Sequence, residues 1–214
     1  MFDKLIIRKL LNIRLFYSAF EKIIGKKEFS KFFFSDYIGD ISNLNVLDLG
    51  CGPADVLKFI HGEKLYVGID NNENYIKSAR NRFAERQTCQ FYCNDLNSYA
   101  ESTSQKFDLI LMLGVMHHID DEQLDQCMKS IKRIIAKGGR FVSIDCCYTK
   151  KMNPIARLLC MLDRGRYVRN ADDFVRLQQK YWTDVNFEIR TDGLILPYSR
   201  ILFSNKDKDV VDEK

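Results

Sequence analysis

The chain has 214 residues, 46% of them hydrophobic, with 11 Gly, 3 Pro and a formal net charge of +4. That length suits one α/β domain with a short extension, and the apolar content suffices for a sizeable core, which excludes a largely disordered chain or two domains on a flexible linker. The mild charge does not demand a nucleic acid partner, and no run reaches the roughly 18 apolar residues that span a bilayer.

The basic character is local. Residues 1–31 hold eight Lys or Arg and three acids, an excess larger than that of the whole chain. Leu5, Ile6, Leu10, Ile13, Phe16, Tyr17 and Phe20 recur on nearly every turn, which predicts a helix over 4–24. Arg8, Lys9 and Arg14 interrupt the apolar run and no small-residue cleavage site follows, so the segment reads as a retained helix and not a secretory leader. A second short helix is expected over 28–38.

From residue 46 strands and helices alternate. Strands are expected at 46–49, 65–69, 89–93, 107–113 and 141–145, and helices at 54–61, 74–85 and 121–135, with a glycine turn at 137–140. Apolar strands alternating with helices predict a Rossmann-like, doubly wound α/β sheet, mostly parallel, with its ligand crevice at the carboxyl ends of the strands. Residues 153–181 read as helical and carry the basic cluster Arg164, Arg166 and Arg169. Segments 185–190 and 199–203 read as an antiparallel hairpin at one sheet edge. The expected division is an N-terminal helical arm or lid (1–43), the α/β domain (44–205) and a charged tail (206–214).

The seven Cys are odd in number and contain no CxxC pair. No Cys/His spacing suits a structural zinc site, so no metal is expected. The thiols read as reduced core residues of a cytoplasmic protein, with Cys146 and Cys147 a vicinal pair open to oxidation.

The loop Asp48-Leu49-Gly50-Cys51-Gly52 follows a strand and opens a helix. Glycines there let the backbone approach a ligand, and a helix start offers unpaired N–H groups. Asp55 stands where a dinucleotide fingerprint has its third glycine, and no Lys-Ser/Thr pair follows, which excludes a P-loop. Asp55 is expected to repel a pyrophosphate, while Asp48 suits a ligand with a positive end. Asp70, 20 residues after Gly50 at a strand end, is spaced to take both hydroxyls of a ribose, with Asn71 and Asn72 beside it. Asp95, after the third strand, is suited to accept from an adenine amino group, with Leu96 packing on the ring. Together these residues specify an adenosine carrying an amino-acid-like cation.

The runs VLDLGCGPADVL, YVGIDNNENYIKSAR, FDLILMLGVMHHIDDEQ and IKRIIAKGGRFVSID resemble the class I S-adenosylmethionine-dependent methyltransferases, small-molecule subgroup, over roughly residues 44–147. The resemblance implies a methyltransferase with S-adenosylmethionine as cofactor and S-adenosylhomocysteine as product. It implies Asp48, Gly50, Cys51 and Gly52 at the methionine part and Asp70 at the ribose. Asp95 and Leu96 then lie at the adenine and Leu113 and Gly114 near the sulfonium, with Asn71, Tyr75 and Asn94 as further cofactor contacts. Tyr17 either touches the cofactor or belongs to an arm that packs as a plain lid. His117 is the candidate general base beside the acceptor; the alternative is that His117 and His118 are both structural and positioning alone drives transfer.

Asp145, Cys146 and Tyr148 are candidates to line the acceptor pocket. Arg166 and its neighbours either grip an anionic substrate or pair with Asp172 and Asp173. Tyr198 either points into the pocket or packs. The expected acceptor is a small molecule, anionic or lipid-like, because the inserted elements are too short for a large recognition domain. The basic, apolar arm also suits contact with an anionic membrane surface or a lipid. Two other classes stay open: a non-catalytic S-adenosylmethionine-binding regulatory protein, and an RNA or protein methyltransferase.

Overall fold

The computed structural model describes residues 32–150, 152–162, 166–191 and 199–207. Its centre is a seven-stranded sheet: β1 (Asn45–Leu49), β2 (Leu65–Asp70), β3 (Cys89–Cys93), β4 (Phe107–Leu113), β5 (Ile135–Cys146), β6 (Phe187–Arg190) and β7 (Arg200–Lys206). The spatial order is β3-β2-β1-β4-β5-β7-β6. The first five strands are parallel; β7 runs antiparallel to both β5 and β6. This is the Rossmann-like sheet with an antiparallel edge hairpin that the alternating pattern predicts.

Strand alternation sorts the core into two layers. Leu47, Leu49, Val67, Ile69, Ile110, Met112 and Phe141 face one side, under α2 (Leu96–Ser102), α3 (Asp121–Ile134) and α5 (Ala171–Gln179). Val46, Tyr66, Leu109, Leu111 and Val142 face the other, under α1 (Glu73–Arg82) and the π-type turns of Phe33–Ile38. Both faces are buried because parallel strands joined by crossover helices must be covered on both sides. The remaining helix, α4 (Pro154–Leu162), turns Ile155, Leu158 and Met161 outward. Among the described residues no helix is long and apolar enough to cross a membrane.

Several boundaries differ from expectation. The helix expected at 54–61 is one 3₁₀ turn, Asp55–Lys58, because Gly52 and Ala54 both hold left-handed backbone and delay any helical start. The turn expected at 137–140 belongs to β5. Ile135 ends α3 in extended backbone and pairs with Phe107, and the register then shifts before Leu109 meets Arg140. Gly139 absorbs that shift: a Cβ there would lie 2.8 Å from the Ala136 carbonyl oxygen. The helical stretch 153–181 is two helices, α4 and α5. Helix α2 falls where only a strand end is expected, started by Asp95, whose side chain accepts from Ser98 N–H. The N-terminal arm to residue 31, the hairpin turn and the tail beyond 207 lie outside the described residues.

Candidate functional site

Parallel strands bring Asp48, Asp70, Leu113 and Asp145 to one end of the sheet, and Asp95 follows β3 at that same end. The loop after β1 is folded by backbone and carboxylate together. Gly50 and Cys51 N–H groups donate to Ile69 O at 2.8 and 3.0 Å, and Gly52 N–H donates to Asp70 Oδ2 at 2.9 Å. The other Asp70 oxygen accepts from Asn72 N–H at 2.8 Å. Asp70 therefore ties the glycine loop to the start of α1, and each oxygen retains a lone pair for a further donor.

Asp48 lies deeper, at 3% exposure, and its Oδ2 accepts from the Tyr66 hydroxyl at 2.6 Å. Burial raises its pKa to about 7; the Tyr66 hydrogen bond opposes this and the charge of Asp70 adds to it. A buried carboxyl in that state gains from a cationic partner. Among the described residues the space above the loop is open: a Cβ on Gly52 would meet none of their atoms within 4 Å.

The expected cofactor residues spread along this edge. Asn71 and Tyr75 are exposed. Asn94 N–H donates to Asp70 O at 3.2 Å and its Oδ1 accepts from Asp95 N–H. Asp95 is exposed, and hydrogen bonds from Ser98 hold its carboxyl below the usual range. Leu96 is turned into the core, and the Cys51 thiol packs toward Gly68, pushed up in pKa by burial. Leu113 and Gly114 end β4, Gly114 in left-handed backbone.

His117 and Asp145 form a buried polar contact at this edge. His117 Nδ1 is hydrogen-bonded to Asp145 Oδ1, and Asp145 Oδ2 accepts from Met116 N–H at 2.8 Å. Both residues are buried, whereas His118 is exposed. The imidazole Cε1 would lie 4.0 Å from a Cβ on Gly114, so the ring sits against the end of β4. Asp145 is expected to line the acceptor pocket; the structure gives each of its oxygens one protein partner, His117 and Met116 N–H.

The loop carrying His117 is clasped from the segment before α5. Tyr167 N–H donates to His117 O at 3.0 Å. Arg169 donates to the carbonyls of Met116 and Ile119 at 2.8 and 2.9 Å and to Asp121. Arg169 is thus neither an anion grip nor a partner of Asp172 or Asp173, which pair with Lys150 and Arg176. Nothing in the sequence separates it from Arg164 and Arg166, so its role was not legible. Arg166 is exposed; Tyr148 is half-buried under the Arg157 guanidinium. Arg164, Tyr17 and Tyr198 lie outside the described residues.

Asp55 requires a correction. Its carboxylate pairs with Lys58 and Arg82 at 2.6 and 2.8 Å, so it cannot serve as the guard against a pyrophosphate that its position in the sequence suggests. The preference for a cationic ligand rests on Asp48 instead.

A methyltransferase domain family matches residues 40–190. A probable tRNA methyltransferase 9B of Mus musculus is 31% identical over 98 residues, 45% of this chain and 20% of that protein. The methyltransferase GfsG of Streptomyces halstedii is 27% identical over 173 residues, 73% of this chain and 61% of that protein. The chain thus spans a fifth of the first relative and under two thirds of the second. The structure of the N-methyltransferase NodS from Bradyrhizobium japonicum, in complex with S-adenosylhomocysteine, superposes with a TM-score of 0.65 at 18% identity, covering 92% of this chain and 90% of that one.

Proposed function

The chain belongs to this methyltransferase domain family, and from that premise we propose that it transfers a methyl group from S-adenosylmethionine to a small-molecule acceptor held at the carboxyl ends of β4 and β5. S-adenosylmethionine supplies an electrophilic methyl group on a sulfonium. The residues suit it: Asp48 is a buried carboxyl that a positive amino-acid end would stabilise, and no described residue covers the face above Gly52. Asp70 offers its remaining lone pairs to hydroxyl donors, and Asp95 stands at the next strand end.

The observation that carries the reading is the buried His117–Asp145 pair beside Gly114. Asp145 accepts the Nδ1–H of His117, which fixes the tautomer and leaves Nε2 as the basic nitrogen. An acceptor hydroxyl, amine or thiol loses its proton to Nε2, and the resulting imidazolium is stabilised by the buried carboxylate. Arg169 holds the loop in place through the carbonyls on either side of the His pair.

The test is a labelled-methyl transfer screen against small-molecule extracts, with a tRNA arm. The expected result is transfer to a small-molecule fraction. Asp145→Asn and His117→Ala should each lower that transfer about a hundredfold, the scale of a lost general base, with S-adenosylmethionine affinity unchanged within about twofold. Transfer to tRNA alone would replace the small-molecule reading with an RNA one. Cofactor binding with no transfer to any fraction would leave a binding protein.

A further inference from the structure

Helix α4 is apolar on two opposite sides. Ala156 and Cys160 face inward, and the Cys160 thiol donates to the Cys147 carbonyl oxygen at 3.9 Å, which holds the helix at the carboxyl end of β5. Ile155, Leu158 and Met161 recur at helical spacing and point the other way, at 55%, 53% and 50% exposure. Four Ile, Leu or Met side chains are exposed among the described residues, and three of them are these. One exposed aliphatic residue is ordinary on a protein surface, but three on one helix face mark a contact surface.

The charge around this face has one sign. The sequence from Cys146 to Asn170 holds six Lys or Arg and one acid, Asp163. Arg157, within α4, is exposed, as are Lys150 before the helix and Arg166 after it. Lys150 reaches Asp172 at 3.2 Å, yet its side chain stays almost wholly in solvent.

We propose that this face of α4 docks on an anionic lipid bilayer, with Ile155, Leu158 and Met161 in the headgroup–acyl boundary and Lys150, Arg157 and Arg166 among the headgroups.

The chemistry selects this partner over three others. Aliphatic side chains enter the acyl boundary while Lys and Arg meet anionic headgroups, the combination that holds a helix in the plane of an interface. A nucleic acid would use the same cations, but it stacks its bases on aromatic rings and gains nothing from Ile, Leu and Met. A second copy of the chain in a twofold contact would set Arg157 and Arg166 against like charges. The chain's own segment 1–31 is also basic, with eight Lys or Arg against three acids, so its charge opposes docking here. An anionic surface with an apolar interior satisfies both halves of the face. Because α4 is held at the end of β5, a bilayer docked there lies beside the end of the sheet that carries His117 and Asp145. The surface stands on its own geometry and charge, whether or not the site transfers a methyl group.

The test is co-sedimentation of the full chain with vesicles of one part phosphatidylserine to two parts phosphatidylcholine, against vesicles of phosphatidylcholine alone. The expected result is binding about tenfold or more tighter to the anionic vesicles, weakened by added salt. Ile155→Ser/Leu158→Ser/Met161→Ser and Arg157→Glu should each weaken that binding about tenfold or more. Circular dichroism checks that each variant is folded. The Leu158→Trp variant reads the position directly. Its emission should shift to shorter wavelength on vesicle binding and be quenched by lipids brominated on their acyl chains, against the constant background of the buried Trp182. The proposal is overturned if the wild-type chain does not bind the anionic vesicles, or if the triple Ser variant binds them as tightly as wild type. Vesicle binding that leaves the Leu158→Trp emission unchanged would also overturn it and assign the contact to another surface. A dimer that the triple Ser variant splits into monomers would give the face to a second copy. Binding of tRNA, with none to vesicles, would give the cations to RNA.

Discussion

Asp48 is a carboxyl at the ligand-facing end of a buried strand whose pKa is about 7 against an ordinary 3.8. Between those values the folded protein holds a proton that the unfolded chain has lost, so the folded state loses stability as pH rises from about 4 to 7 and recovers none above it. Asp48→Asn cannot titrate. Its melting temperature relative to wild type should therefore rise from pH 5 to pH 8. A cation at Asp48 reverses the bias and expels the proton. Calorimetry at pH 6 in buffers of different ionisation enthalpy should show proton release on S-adenosylmethionine binding, which disappears at pH 8.5 and in Asp48→Asn. Buffer-independent enthalpies at pH 6 would remove Asp48 from the cofactor site. The strand-end position of Asp48 and of Asp70 was legible because strand length and the glycine loop set it. That Tyr66 caps Asp48, and that Asp55 faces Arg82, was not, since both depend on contacts from residues 18 and 27 positions away.

At the level of elements, the β1 loop is where backbone geometry decides what side chains are tolerated. Gly50 (φ +70°) and Gly52 (φ +54°) are both left-handed, but only Gly50 is crowded: an added Cβ would lie 2.5 Å from Val115 Cγ2. Val115 begins the turn that carries His117. Gly52→Ala should cost about 1–2 kcal/mol, the strain of left-handed backbone alone. Gly50→Ala should cost about 1–3 kcal/mol more for the clash. Urea denaturation measures the difference, and equal losses would show that Val115 moves aside freely. Cofactor affinity should fall in Gly52→Ala despite its milder stability loss, because its methyl group enters the open face. Elements with sustained periodicity, α3 and the central strands, were readable from apolar spacing. Those set by backbone conformation were not: the left-handed Ala54 truncates an expected helix, and the bulge at Gly139 turns an expected stop into strand.

Across the whole molecule, the two ends of the sheet do different work. The carboxyl ends collect the polar groups of the site, while the amino ends of β2 and β3 are locked by Glu63 and Arg86. Glu63, with its side chain 1% exposed, accepts from Arg86 at 2.6 and 2.9 Å and from Thr88 at 2.6 Å, and Arg86 also donates to the carbonyls of Leu57 and Ile60. Burial would raise the Glu63 carboxyl, but the hydrogen bonds from Arg86 and Thr88 outweigh it and hold the carboxyl below its ordinary 4.5. The depressed value means that this pair stabilises the fold above about pH 4.5 and loses its contribution as pH falls further. The parallel sheet was legible from alternation, but a charge pair joining a loop to a helix exit is invisible to periodicity. Arg86→Ala leaves a buried carboxylate and two carbonyls without their donor, and should cost about 3–5 kcal/mol. The loss should shrink as pH falls below the ordinary carboxylate value and Glu63 takes up a proton. Because the pair sits at the far end of the strands, cofactor affinity of the folded fraction should stay within about twofold. Asp145→Asn should behave the opposite way, losing methyl transfer with a smaller loss of stability. Denaturation and calorimetry on the two variants side by side check this separation, and a large affinity loss in Arg86→Ala would show that the two ends of the sheet are coupled.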